Sequence, residues 1–241
     1  MLRKVQREFR RRVRAQSFPC LGAKAALNAG SYVVTLYRQL AAVETTDALG
    51  RDLAAFRRDT AKINAAYSTF VAVFQGPRTI DEATFEELLW SQLRQLHRVD
   101  RAAWAADVSA DANDPHFSFS FDGRAFYVIG MHARSSRVAR RFPWPTLVFN
   151  PHEQFERLRG NGKWKRMQRA IRARDVALQG NVNPMLSDFG EASEARQYSG
   201  RAVDDNWKCP FHSSSSSAFL NETKRAEEDA ATTRASNRNR I

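Results

Sequence analysis

The sequence predicts a single α+β domain, in which a small and mainly antiparallel sheet of about four strands packs against helices. The strongest observation is Asp122-Gly123, which separates two runs of apolar residues and supplies the positive φ angles of a tight hairpin turn. Helical periodicity precedes and follows this hairpin, without the regular strand–helix alternation of a doubly wound sheet. A chain of 241 residues, 43% of them hydrophobic, can bury one full core.

The N-terminal third predicts helices and one strand. Residues 1–17 form a basic amphipathic segment whose apolar residues recur at helical spacing. Three further helices are predicted over Ala23–Ala29, residues 33–40 and Ala48–Ile63. Tyr67–Gln75 is rich in β-forming residues and ends at Gly76-Pro77, so it predicts a strand.

The central third carries the predicted hairpin. Thr79 and Glu82 form a capping box that opens a helix ending near Trp104. The hairpin strands are Phe117–Phe121 and Arg124–His132.

A third strand, Thr146–Phe149, follows the hairpin. The cap residue Asn150 and Pro151 then predict a helix start. A longer helix with Trp164 on its inner side comes next, and residues 181–200 resemble a loop.

Residues 18–212 therefore make up the predicted domain, and 213–241 make up a serine-rich, charged tail that we expect to be disordered. No apolar run approaches the roughly 20 residues that span a bilayer, and the basic N-terminus is not a signal peptide. Cys20 and Cys209 do not form a disulfide scaffold. We expect a cytoplasmic protein with reduced thiols and no membrane partner.

The net charge of +12 raises the question of a nucleic-acid partner. The basic residues are spread over several elements, and no motif of a DNA- or RNA-binding module occurs. Aromatic residues lie mostly in the apolar strands, not beside arginines on an exposed face. The pattern favours a basic surface and a small anionic ligand over nucleic acid.

Five motifs in the same order carry a resemblance to a known family. They are Phe18-Pro19-Cys20 with Ala23-Lys24; Leu89-Trp90 with Leu96-His97 and Asp100; Phe117–Phe121 with Gly130-Met131-His132, Ser136-Arg137 and Arg140-Arg141-Phe142; Phe149-Asn150-Pro151-His152 with Gln154-Phe155-Glu156; and Asn183-Pro184-Met185-Leu186 through Asp188-Phe189-Gly190 and Tyr198-Ser199-Gly200-Arg201 to Trp207 and Cys209-Pro210-Phe211. Over residues 18–212 the chain resembles the YqcI/YcgG family.

That family includes haem-dependent enzymes that N-hydroxylate guanidino groups, as in D-cycloserine and guanitoxin biosynthesis. The resemblance implies haem b as the cofactor, dioxygen as co-substrate and an external electron donor or reductase as partner. The implied substrate is a small cationic guanidino or amino compound, such as arginine or a derivative. A haem carrier or sensor without turnover remains an alternative, as does a basic binding module without a cofactor.

Haem needs apolar walls, an axial ligand and cations for its two propionates. Phe121 and Met131 are candidates for the walls. The arginines that follow the hairpin suit carboxylates, because a guanidinium fork binds a carboxylate through two hydrogen bonds. They are Arg134, Arg137, Arg140 and Arg141.

His132, at the end of a predicted strand and beside these arginines, is the first candidate for the iron ligand. The alternatives are Cys209, His152, Cys20 and His97. His152 and Cys20 are also candidates for proton delivery.

A cationic substrate calls for a carboxylate. Asp188 is the candidate, because it lies within one of the family motifs. For Glu191 and Glu194 the interpretation favours helix-cap or surface roles.

Overall fold

The computed structural model of the protein describes residues 1–62, 66–160 and 162–212. The predicted tail, 213–241, lies outside the described residues, as does Ile63. The helices are α1 Leu2–Arg14, α2 Leu21–Ala29, α3 Val43–Lys62, α4 Glu82–Val99, α5 Glu153–Gly160, α6 Trp164–Gln179 and α7 Ala195–Tyr198. The strands are β1 Tyr32–Gln39, β2 Thr69–Gly76, β3 Phe119–Phe121, β4 Arg124–Met131 and β5 Thr146–Pro151, and a 3-10 turn covers Val138–Arg140.

The strands form one sheet in the order β1-β2-β5-β4-β3. The outer pair β1 and β2 is parallel, with Val34 opposite Val71, and α3 provides the crossover between them. All other neighbours are antiparallel. The α+β class and the mainly antiparallel sheet are thereby confirmed, with five strands in place of about four.

The fifth strand is β1, where the helix predicted over residues 33–40 is wrong. Val34 and Leu36 pack on one face of the sheet, whereas Tyr37 packs on the other. Since apolar residues point to both faces, the period of two that marks a half-buried strand is hidden, and the remaining spacing imitates a helix.

Each face of the sheet carries its own layer. On the first face, α3, α4 and α7 cover a solid core of aromatic rings, including Phe70, Phe119 and Phe149. On the second face, α1 and α2 lie over Val71 and Val148. The apolar stripe of α1 is buried there, so this basic helix docks on its own domain.

The hairpin turn has the predicted geometry. Asp122 has φ 53° and Gly123 has φ 70°, which is the left-handed conformation required at both central positions of this turn. The Asp122 carboxylate pairs with Arg57, and its backbone N–H donates to Asp100 Oδ2 at 2.9 Å. The turn is therefore fixed to α3 and to the end of α4.

Some predicted helix boundaries are wrong, although α4 starts close to Asp81 as the sequence predicts. Helix α4 begins after Asp81, whose carboxylate accepts a hydrogen bond from the Thr84 backbone N–H at 2.8 Å, and it ends at Val99 instead of Trp104. Helix α5 begins at Glu153, because Asn150 and Pro151 still belong to β5. The Asn150 side chain donates to the Tyr127 carbonyl at 3.2 Å, so it serves the sheet and not the helix.

No helix among the described residues combines the length and the apolar character needed to cross a lipid bilayer.

Candidate functional site

A cavity of about 270 Å³ lies on the second face of the sheet. The sheet forms its floor, and α1, α2, α5, α6 and the loop after α6 surround it. Its walls are mainly apolar, with contributions from Phe9, Ile129, Met131, Met167 and Ile171. This volume lies just below the range of roughly 300–1,000 Å³ that is typical of small-molecule sites.

His152 faces this cavity from the junction of β5 and α5, and only 2% of it is exposed. Its Nε2 lies 3.1 Å from Glu156 Oε1, whereas Nδ1 is buried without a hydrogen-bond partner among the described residues. Burial lowers the pKa of the imidazole, although Glu156 acts in the opposite direction. The ring is thus held neutral with one nitrogen unused.

Cys20 also lines the cavity, at the N-cap of α2. Its Sγ accepts a hydrogen bond from the Ala23 backbone N–H at 3.4 Å. Burial raises the pKa of this thiol, so the sulfur keeps its proton at neutral pH.

Two of the four candidate arginines reach the cavity. Arg137 is already neutralised, because it pairs with Asp175. Arg140 is buried and donates from Nη1 to the Tyr198 carbonyl at 2.9 Å and the Gly130 carbonyl at 3.3 Å. No carboxylate of the described residues pairs with Arg140, so its positive charge is uncompensated.

The other two arginines and several further candidates lie elsewhere. Arg134 and Arg141 are exposed outside the cavity. His132 follows β4, but its ring points to the first face of the sheet, where it stacks on Phe85 at a centroid distance of 4.5 Å. Neither ring nitrogen of His132 has a partner among the described residues. Phe121 and Cys209 belong to the core of that face, and His97 packs against Phe211 there.

Asp188 is half-buried on the cavity wall. Its Oδ1 accepts hydrogen bonds from Gln168 Nε2 at 2.5 Å and Trp164 Nε1 at 3.3 Å. Glu191 is exposed and accepts from the Asp188 backbone N–H at 3.1 Å. The structure thus brings Asp188 together with His152 and Cys20.

Glu194 is the cavity residue whose setting the sequence did not reveal. It is 5% exposed, so the surface role favoured from sequence is wrong. Its Oε1 accepts a hydrogen bond from Ser118 Oγ at 2.7 Å and another from the Tyr198 hydroxyl. Burial raises its pKa to about 8, against the opposing effect of these two hydrogen bonds. The spacing of four residues between Glu194 and Tyr198 could have indicated a contact between them, whereas nothing in the sequence indicates the contact with the distant Ser118.

Within the described parts of the chain, no three metal-ligating side chains form a cluster. The cavity therefore offers single donor atoms, chiefly His152 Nδ1, rather than a ready cage for a bare ion.

Comparisons with known proteins agree on one family. The model of the YqcI/YcgG family matches residues 9–212. The uncharacterized protein YcgG of Bacillus subtilis (strain 168) is 30% identical over 210 residues, covering 82% of this chain and 81% of that protein. The uncharacterized protein YqcI of the same organism is 27% identical over 208 residues, covering 80% of each chain. No solved structure matches.

Proposed function

The chain belongs to the YqcI/YcgG family, and we propose that it is a haem-dependent oxygenase that N-hydroxylates a guanidino or amino group of a small molecule such as arginine. The observation that carries this proposal is the unpartnered Nδ1 of His152 in a cavity that also holds the uncompensated charge of Arg140. Haem b, when bound, supplies an iron that activates dioxygen with electrons from an external donor.

Several residues of the cavity have the chemistry that a haem site requires. A metal ligand must be a neutral imidazole, and burial holds His152 in that form. Arg140 has a free positive charge for a propionate, and Met131 and Ile129 provide apolar walls. We therefore propose that His152 would hold the iron, in place of His132, which lies on the other face of the sheet.

Each of the surrounding groups has a definable role. Glu156, at Nε2 of His152, orients the ring and makes it a better donor, as carboxylates do for ligating histidines. Asp188 offers a carboxylate oxygen for the N–H groups of the substrate. Cys20 holds a proton at Sγ on the cavity wall and can deliver it there. The apolar walls exclude bulk water.

The test compares two histidines that sit on opposite faces of the sheet. We expect the purified protein to show a Soret band after incubation with haemin, and His152→Phe to lose or shift that band. The matched variant His132→Phe keeps a ring stacked on Phe85, so we expect it to retain the wild-type spectrum.

An assay for N-hydroxyarginine with dioxygen and a reductant then separates turnover from haem carriage. A wild-type protein without a Soret band would refute the proposal. Loss of the band in His132→Phe, but not in His152→Phe, would refute the assignment of the ligand.

A further inference from the structure

We propose that Glu194 is the residue that recognises the positive charge of the ligand, and that a cationic ligand enters the cavity with release of the Glu194 proton. For the nature of the ligand, this inference rests on the proposed function. It assigns the recognition of charge to a residue for which the sequence favoured a surface role.

The two oxygens of the Glu194 carboxyl group have different surroundings. Both hydrogen bonds, from Ser118 and from Tyr198, are made to Oε1. Oε2 accepts no hydrogen bond from the residues that the structure describes, and Glu194 contributes to the cavity wall. One oxygen is thus anchored while the other remains available to a ligand.

Among the described residues, no cation neutralises Glu194. Within residues 1–62, 66–160 and 162–212, it makes no ion pair. Arg159, which acts on Glu194 only through its field, is paired with Glu156. The Tyr198 and Tyr127 hydroxyls near Glu194 are neutral, because burial raises the pKa of both. Arg140 lines the same cavity, but it interacts with Tyr127 and with the Tyr198 carbonyl and makes no ion pair with Glu194. A buried acid in this setting stays protonated until a cation arrives.

A cation next to Oε2 shifts Glu194 from its protonated form to its ionised form. An opposite charge within about 4–6 Å favours the ionised form of a carboxyl group, so the proton leaves for solvent and a charge-assisted hydrogen bond forms. A neutral ligand of the same shape gains nothing from Glu194, because the group then remains a carboxylic acid. Selection for a cation is therefore coupled to pH.

The experiment is calorimetric titration of L-arginine into the purified full-length protein in two buffers with different ionisation enthalpies. With a pKa of about 8, Glu194 is about nine-tenths protonated at pH 7, so we expect release of nearly one proton per arginine bound. For the same reason the affinity should be about fivefold higher at pH 8 than at pH 7.

Two variants and one analogue sharpen the test. We expect Glu194→Gln to bind arginine at least about tenfold more weakly and without proton release. Glu191→Gln should retain proton release, because Glu191 is exposed and Glu194 stays intact. L-Citrulline, the neutral analogue, should bind equally to the wild type and to Glu194→Gln.

The proposal is overturned if arginine binds the wild type without proton release, or if neither arginine nor agmatine binds it more tightly than Glu194→Gln. The wild-type measurement alone decides this if the variant does not fold. A Soret band recorded on the same samples keeps the two proposals apart. Haem binding without discrimination between cations rejects only the role of Glu194, whereas discrimination without haem binding rejects only the oxygenase.

Discussion

Replacement of Glu194 by Gln should make the protein less sensitive to alkaline pH. The amide oxygen of Gln can accept the hydrogen bonds of Ser118 and Tyr198, so the local packing is retained. The titratable proton is removed. In the wild type, the folded-state pKa is raised from 4.5 to about 8, so the folded state binds this proton more tightly than the unfolded state.

The sign and size of the effect follow from this difference. Stability contributed by the proton is complete below pH 4.5 and is lost as the pH rises through about 8. A shift of about 3.5 units corresponds to roughly 5 kcal/mol in total, because each unit is worth about 1.4 kcal/mol. Between pH 5.5 and 7.5, the wild type should therefore lose roughly 2 to 3 kcal/mol of unfolding free energy that the variant keeps.

Urea denaturation of both proteins at pH 5.5 and 7.5 measures this difference. Glu191→Gln is the matched control, because Glu191 is exposed, and its profile should follow that of the wild type. Parallel profiles for the wild type and Glu194→Gln would show that Glu194 ionises as freely in the folded protein as in the unfolded chain, and would refute the reasoning.

Further predictions concern packing, haem retention and the tail. Gly130→Ala should lower the free energy of unfolding by about 1–3 kcal/mol, because the new Cβ would lie 2.6 Å from Phe85 and 2.9 Å from the Tyr198 carbonyl; an unchanged melting curve would contradict this. Phe9→Ala should cost about 3–5 kcal/mol and open the cavity on the side of α1, which denaturation and binding of a hydrophobic dye would detect. Arg140→Met should weaken haem retention severalfold in competition with apomyoglobin, whereas the exposed Arg141→Met should not; equal retention would exclude Arg140 as a propionate partner. Deletion of 213–241, predicted to be disordered from composition, should leave the melting temperature unchanged, and a decrease of several degrees would show that the tail packs.

The fold was largely predictable because its main signals are local. Asp122-Gly123 specifies its turn through backbone conformation alone, and β2 and α6 carry their own periodicity. The strand β1 was missed because its burial on both faces depends on neighbours that are distant in sequence. A local sequence pattern holds no information about such a distant neighbour.

The site was less predictable, because it depends on which face of a sheet each side chain enters. Met131 and His132 are adjacent in sequence, yet Met131 lines the cavity and the His132 ring stacks on Phe85 on the opposite face. A single step along a strand makes this difference. The buried state of Glu194 depends likewise on Ser118, which is 76 positions away in the sequence.

The two faces of the sheet differ in how they are packed, and this affects how the sequence of this protein can diverge. The solid core beneath α3 and α4 supplies most of the large, fully buried side chains, whereas the opposite face carries the cavity. Substitutions that reshape the cavity therefore leave this aromatic layer untouched, although those at Phe9 or Met131 disturb the smaller core on the cavity side. A lineage built on this plan can vary its cavity while most of its buried aromatic packing is kept in a separate layer.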